Sequence, residues 1–243
     1  MKKQHILLAG ASGAVGEGMT TSFLSKGHHV TAVVRTGNKK AALLKTVQQE
    51  SVSDRNLSII VNAFDNEAAV QDLASVLKGL DKIDIAIASL GGWYHGEGLH
   101  TLPLADWEIV INNGLAAHFR FAKAVIPVLE AQGEGSYVMV NGGASEYAVP
   151  HSGVISVGAA AQKMMGQVLH QELKTKNIKV YGVAAFDLVR TKQRNNQSDL
   201  WLGTEEIAHY ILDLLAQKEN NTYWHPLQQP QDLLFQLQAE DIK

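Results

Sequence analysis

Three glycines punctuate the segment Gly10-Ala11-Ser12-Gly13-Ala14-Val15-Gly16, which follows directly on the apolar run Ile6-Leu7-Leu8-Ala9 and opens into an amphipathic stretch from Glu17 to Lys26. A strand that must turn into a helix within so few residues needs backbone angles that a Cβ penalises, and glycine supplies them. The same lack of side chains lets an anion reach the main chain, where the free N–H groups of a helix N-terminus and the helix dipole favour it. Gly16 further permits close packing of helix on strand. The segment therefore predicts a strand-turn-helix in which Gly10, Ser12, Gly13, Ala14, Val15 and Gly16 cradle the diphosphate of a dinucleotide; its plainer counterpart is a tight turn with no ligand.

The rest of the chain repeats the alternation. Short apolar runs at Val30 to Val34, Leu57 to Val61, Ile83 to Ala88, Tyr137 to Val140 and Val180 to Ala185 read as buried strands. Between and after them, Lys39 to Gln49, Glu67 to Leu77, Leu104 to Leu129, Val154 to Lys174 and Thr204 to Ala216 read as helices. Near-continuous apolar strands separated by helices predict a parallel sheet covered on both faces, with right-handed crossovers. The expected fold is α/β: one Rossmann-type, doubly wound parallel sheet in three α/β/α layers. No Pro- or Gly-rich linker divides the pattern, so residues 1–243 are expected to form one domain, and the polar stretch from Gln217 onward is expected to pack loosely.

Composition narrows the partners. Lys and Arg number 21 against 24 Asp and Glu, spread along the chain, which gives no electrostatic reason to expect nucleic acid or an anionic membrane. The absence of cysteine excludes a disulfide framework and a thiolate nucleophile or metal ligand. The ten histidines show no metal-binding spacing such as HExxH, so no metal is expected. The first apolar run, about six residues, is too short for a signal-peptide core or a membrane span, and a cytoplasmic location is expected.

The second strand ends at Val33-Val34-Arg35, beside the place where this fold sets the adenine ribose. An acid there would bond the 2′-hydroxyl of NAD, whereas Arg35, with Lys39 and Lys40 close behind, suits the 2′-phosphate of NADP. NADP is the expected cofactor and NAD the lesser one; a solvated basic loop is the alternative.

On these residues the chain resembles the short-chain dehydrogenase/reductase superfamily. The glycine turn matches its GxxGxxG form, Phe64-Asp65 its acid near the adenine, and Ala88-Ser89-Leu90-Gly91-Gly92 its Asn-Asn-Ala-Gly stretch. Asp106-Trp107 with Ile111-Asn112-Asn113-Gly114-Leu115 resembles the start of its long fourth helix, and Ile178 to Thr191 the segment ending in a Thr near the nicotinamide amide. The resemblance implies cofactor contacts at Phe64, Asp65, Ala88, Ser89, Leu90, Gly91, Lys163 and Thr191. It also implies a Tyr-x-x-x-Lys pair, one helical turn apart on one face, whose ammonium lowers the phenol pKa for proton exchange. Lys163 is present, but Ala159 stands where the Tyr belongs and Glu146, next to Ser145, where the Ser belongs.

Alanine has no titratable proton, so another residue must supply one. Tyr147 with Ser145, beside Lys163, is the first candidate catalytic set; Tyr94, His95 and His151 lie in neighbouring loops at the strand C-termini, where active-site groups of such sheets gather. Trp93-Tyr94 would form an apolar wall for a carbonyl or a planar, quinone- or pteridine-like substrate. A homo-oligomer, dimer or tetramer, is implied through the Val154 to Lys174 helix. A protein that binds NADP(H) without turnover, and a structural protein without nucleotide, are the competing readings.

Overall fold

In a computed structural model of the chain, residues 2–194, 198–217 and 220–228 are described. The elements run β1 (His5–Ala9), α1 (Ala14–Ser25), β2 (His29–Val34), α2 (Gly37–Gln49), β3 (Leu57–Val61), α3 (Glu67–Lys78), β4 (Ile85–Ala88) and α4 (Leu104–Ile111). A π turn over Asn112–Ala116 leads into α5 (Ala117–Gln132), followed by β5 (Gly135–Gly142), α6 (Gly153–Glu172), β6 (Ile178–Ala185), β7 (Val189–Arg190), β8 (Leu202–Gly203), α7 (Thr204–Ala216) and β9 (Trp224–Leu227).

Seven strands pair in parallel in the order β3-β2-β1-β4-β5-β6-β9, and β7 pairs with β8 apart from them. Side chains alternate across a strand. Leu7 and Ala9 accordingly enter one core, with Leu73 of α3 and Phe121, Val125 and Leu129 of α5. Ile6 and Leu8 enter the other, with Phe23 of α1, Leu43 of α2 and Ile211 of α7. Both faces being dry is why β1 reads as an unbroken apolar run. The chain winds outward from β1 through β2 to β3, then returns to place β4 on the other side of β1. The crevice between the C-termini of β1 and β4 is therefore the point where strand order reverses, the position where open α/β sheets bind ligands.

Two expectations are corrected. The stretch from Leu104 to Leu129 is not one α-helix: the π turn separates α4 from α5, which runs on to Gln132 and stops at Gly133, where φ is 83°. Asn112, Asn113 and Gly114 are weak helix formers, and the wider turn they adopt is a form that recurs at functional sites. Nor does the polar stretch after Gln217 pack loosely throughout. Trp224–Leu227 forms the seventh strand against β6, and Tyr223 and His225 are buried. A four-residue strand carries too little periodicity to be read alone, and Pro226 suits its place at the sheet edge. Among the described residues no helix is long and apolar enough to cross a membrane.

Candidate cofactor and active-site cleft

The glycine turn is built as an open anion cradle. Gly10 follows β1 at φ 80°, and a Cβ there would overlap the carbonyl oxygen of Ser89 and lie 2.9 Å from its carbon. The Gly13 N–H closes the turn on the Gly10 carbonyl at 2.8 Å. Gly13 caps α1 without a side-chain hydrogen bond, so nothing from the turn covers the first N–H groups of the helix, which an α-helix leaves without intrahelical acceptors. A Cβ on Gly16 would overlap the Gly10 carbonyl, which is the close helix-strand approach expected of that position.

From this cradle a cleft of ≈ 1780 Å³ runs along the C-terminal edge of the sheet. Ser12, Gly13, Ala14, Val15 and Gly16 form one end, with Arg35 and Lys39 beside them. The Arg35 guanidinium donates to Asn113 Oδ1 at 3.0 Å, so the π turn holds it at the mouth of the cleft. Ser89, Leu90, Gly91 and Thr191 also line the cleft. Trp93, Tyr147, Val149, Phe186 and Trp201 supply apolar walls. An uncapped helix N-terminus, a backbone that a Cβ would fill, and two adjacent cations fit an elongated anion with a diphosphate.

Other expected site residues lie outside the cleft lining. Gly10 and Ala88 sit beneath it, Ala88 fully buried in β4. Phe64 is a core residue, packed on Phe121 at 5.8 Å between ring centres, and its φ of 37° is held by its N–H donating to Asn62 Oδ1 at 2.7 Å. Asp65 is exposed and accepts from Asn66 Nδ2 at 2.9 Å. Ser145 is buried, its hydroxyl donating to the Gly142 carbonyl at 2.8 Å.

Lys163 points elsewhere too. Its ammonium pairs with the Glu146 carboxylate and lies 4.9 Å from the centre of the Trp224 ring, tying α6 to the loop after β5 and to β9. The face of α6 on the cleft consists of Val154, Ile155, Gly158, Ala159 and Gln162, the spacing of one helical stripe, and none of these titrates. The Asn141 amide fixes that face by donating to the Ala159 carbonyl at 2.9 Å. Of the three candidate catalytic residues, the cleft is lined by Tyr147 alone. Tyr94 is turned aside: its hydroxyl donates to Asp106 Oδ2 at 3.1 Å, and desolvation together with that carboxylate raises its pKa.

Sequence reasoning passed over several lining residues. Asn141 and Gln162 belong to no motif, and Arg194, Leu200 and Trp201 come from the irregular segment after β6. The Arg194 guanidinium lies 5.6 Å from the centre of the Trp201 ring. His118, beneath the loop after β4, is fully buried, and its Nε2 donates to the Leu90 carbonyl at 3.2 Å. Burial pulls its pKa down to about 4.

A family model described as short chain dehydrogenase matches residues 4–199. The chain belongs to the short-chain dehydrogenase family. This short-chain dehydrogenase is similar to the NADP-dependent 3-hydroxy acid dehydrogenase YdfG of Shigella flexneri, 24% identical over 85% of this chain and 86% of that one. It is 28% identical to the protein of the same name from an Escherichia coli O6:H1 strain, over 63% of this chain and 59% of that one, so the second match spans less than two thirds of the relative. In fold it is similar to a short-chain type dehydrogenase/reductase from Mycobacterium ulcerans, with TM-score 0.81, 16% identity, and 94% and 89% of the two chains covered.

Proposed function

We propose that the protein is an NADP(H)-dependent oxidoreductase acting on a carbonyl or a planar ring substrate, with a proton donor that does not come from α6. The observation that carries this reading is the uncapped start of α1 opening into a cleft with Arg35 and Lys39 beside it. Backbone N–H groups would hold the diphosphate, and Arg35 and Lys39 the 2′-phosphate. Ser89, Leu90, Gly91 and Thr191 would border the nicotinamide end. Two relatives whose names state NADP dependence support the same choice of cofactor. When bound, the nicotinamide supplies or accepts hydride. The chain's own part is to orient it, to exclude water with Trp93, Phe186 and Trp201, and to deliver a proton.

Calorimetric titration with NADPH and NADH tests the reading, and tighter NADH binding would reverse the cofactor choice. Arg35→Ala is expected to weaken NADPH binding about 10- to 100-fold, the worth of a charge-assisted hydrogen bond, while changing NADH binding little. Lys163→Ala is expected to leave the NADPH Kd within about twofold and to cost about 1 kcal/mol of stability, since its partners are Glu146 and Trp224. A loss of NADPH affinity beyond tenfold would instead place Lys163 on the cofactor.

A second reading, an NADP(H) sensor without turnover, draws on the absence of a titrating side chain from the cleft face of α6. Measurable reduction of any member of an aldehyde, ketone and quinone panel would eliminate it. Exposed Val157, Met164 and Val168 along the outer face of α6 support assembly of a homo-oligomer through that helix.

A further inference from the structure

Two loops meet along the cleft. One follows β4 and brings His95 and Gly96; the other leads from β5 into α6 and brings His151 and Ser152. They are joined reciprocally at one pair of residues. The Gly96 N–H donates to the His151 carbonyl at 2.9 Å, and His151 Nδ1 lies 3.1 Å from the Gly96 carbonyl oxygen. The two imidazole rings stand 5.8 Å apart, and His95 Nδ1 is 3.4 Å from the hydroxyl of Ser152, which is fully buried. Both rings line the cleft that continues to Ser89, Gly91 and Thr191.

This pairing dictates the chemistry of one ring. A carbonyl oxygen can only accept, so the hydrogen on the contact to Gly96 belongs to His151 Nδ1. The neutral ring must then carry its lone pair on Nε2, and the cation carries a hydrogen there. His151 is also one of four non-glycine residues at positive φ among the described residues, at 60°, a conformation that costs on the order of 1 kcal/mol or more and persists where surrounding contacts hold it. Tyr147 is less well equipped. Its ring leans on Phe186 at 5.8 Å, and the Lys163 ammonium is paired with Glu146.

We propose that His151, clamped through Nδ1 to the Gly96 carbonyl, is the acid-base residue of this enzyme and exchanges the substrate proton through Nε2. The proposal rests on the oxidoreductase reading above. In the reducing direction the substrate carbon gains the hydride, the C=O π pair moves onto oxygen, and that oxygen takes the proton from Nε2 of the imidazolium. His151 is left neutral with its Nδ1 hydrogen still on Gly96, and it regains a proton from the solvent to which it is exposed. The sum is one carbonyl, one reduced coenzyme and one solvent proton giving one alcohol and one oxidised coenzyme.

The test uses the full chain and His151→Asn. Asparagine tolerates a left-handed backbone, and its amide can donate to Gly96 as Nδ1 does, but it has nothing at the place of Nε2. The expected result is a kcat for aldehyde and ketone reduction lowered about 10²- to 10⁴-fold, partly restored by added imidazole, with the NADPH Kd and the Tm unchanged. Independently of activity, long-range ¹H–¹⁵N NMR of the wild-type protein is expected to show neutral His151 as the Nδ1–H tautomer. Full activity in His151→Asn, or the Nε2–H tautomer, would overturn the proposal and leave the cofactor reading standing. So would NADPH binding without reduction of any carbonyl tried. Failure of the wild-type protein to bind NADPH would sink the oxidoreductase reading itself and this inference with it.

Discussion

Gly10→Ala is expected to lower the melting temperature by roughly 8–16 °C and to abolish NADPH binding. The glycine sits at φ 80°, where a left-handed residue with a Cβ costs about 1–2 kcal/mol. The larger cost is steric, because the new methyl would overlap the Ser89 carbonyl oxygen, a backbone atom that cannot rotate away. Ser89 in turn donates its N–H to the Ala9 carbonyl at 3.1 Å, just past the paired residues Ala9 and Ala88. Relief therefore requires β1 and β4 to part at the point where the cradle is built. A total of roughly 4 kcal/mol places the change among the severe ones, and each kcal/mol shifts the Tm of a chain this size by about 2–4 °C. Gly37→Ala is the control: its Cβ would meet nothing within 4 Å at the start of α2, and no shift beyond about 2 °C is expected. A Tm for Gly10→Ala within that same margin would show that the turn is not held as described.

Acidification is expected to remove roughly 3 kcal/mol of stability through His118 alone. Its ring is fully buried on α5; Nε2 meets the Leu90 carbonyl, and Nδ1 is buried without a hydrogen-bond partner. Protonating Nδ1 would place a charge and an unpaired donor in the interior, so desolvation holds the folded-state pKa at about 4 against 6.5 for an ordinary histidine. The folded state thus prefers the neutral ring. The stabilisation is complete above pH 6.5 and is lost progressively as pH falls from 6.5 towards about 4, because the unfolded chain binds the proton first. His28 and His29, whose pKa values burial also lowers, act in the same direction. Carboxylates titrate over the lower part of the range, so the comparison that isolates the effect is Tm against pH for wild type and for His118→Gln. The variant is expected to lose less stability than wild type across this interval, by about the amount above. Parallel curves would remove His118 from the acid response. Because Leu90 lines the cleft, the same protonation is expected to loosen its floor.

The fold and the site differ sharply in how far the sequence specifies them. Ile6 to Ala9, the glycine turn and the alternation of apolar runs with amphipathic stretches are local signals. Each reports its own backbone need or its own buried face, and together they led to a parallel sheet with its cradle at the first strand-helix turn. The family's motifs at Ser89-Leu90-Gly91 and Thr191 could likewise be placed by position along the chain, and these residues do line the cleft.

What the sequence alone determined, then, was the order of elements and the chemistry offered at the first turn, because short-range patterning is enough to specify both. Tertiary structure decided the rest. Ala159 and Lys163 share one side of α6, and where the Lys163 ammonium goes is decided by Glu146 in the loop after β5 and by Trp224 in β9, while Asn141 holds the Ala159 carbonyl. Trp224 belongs to a strand that exists only because β6 offers it an edge. The clamp between His151 and Gly96 joins residues 55 positions apart. Such contacts leave no period in the sequence, since each side chain meets its partner only after the sheet has brought distant loops to one edge.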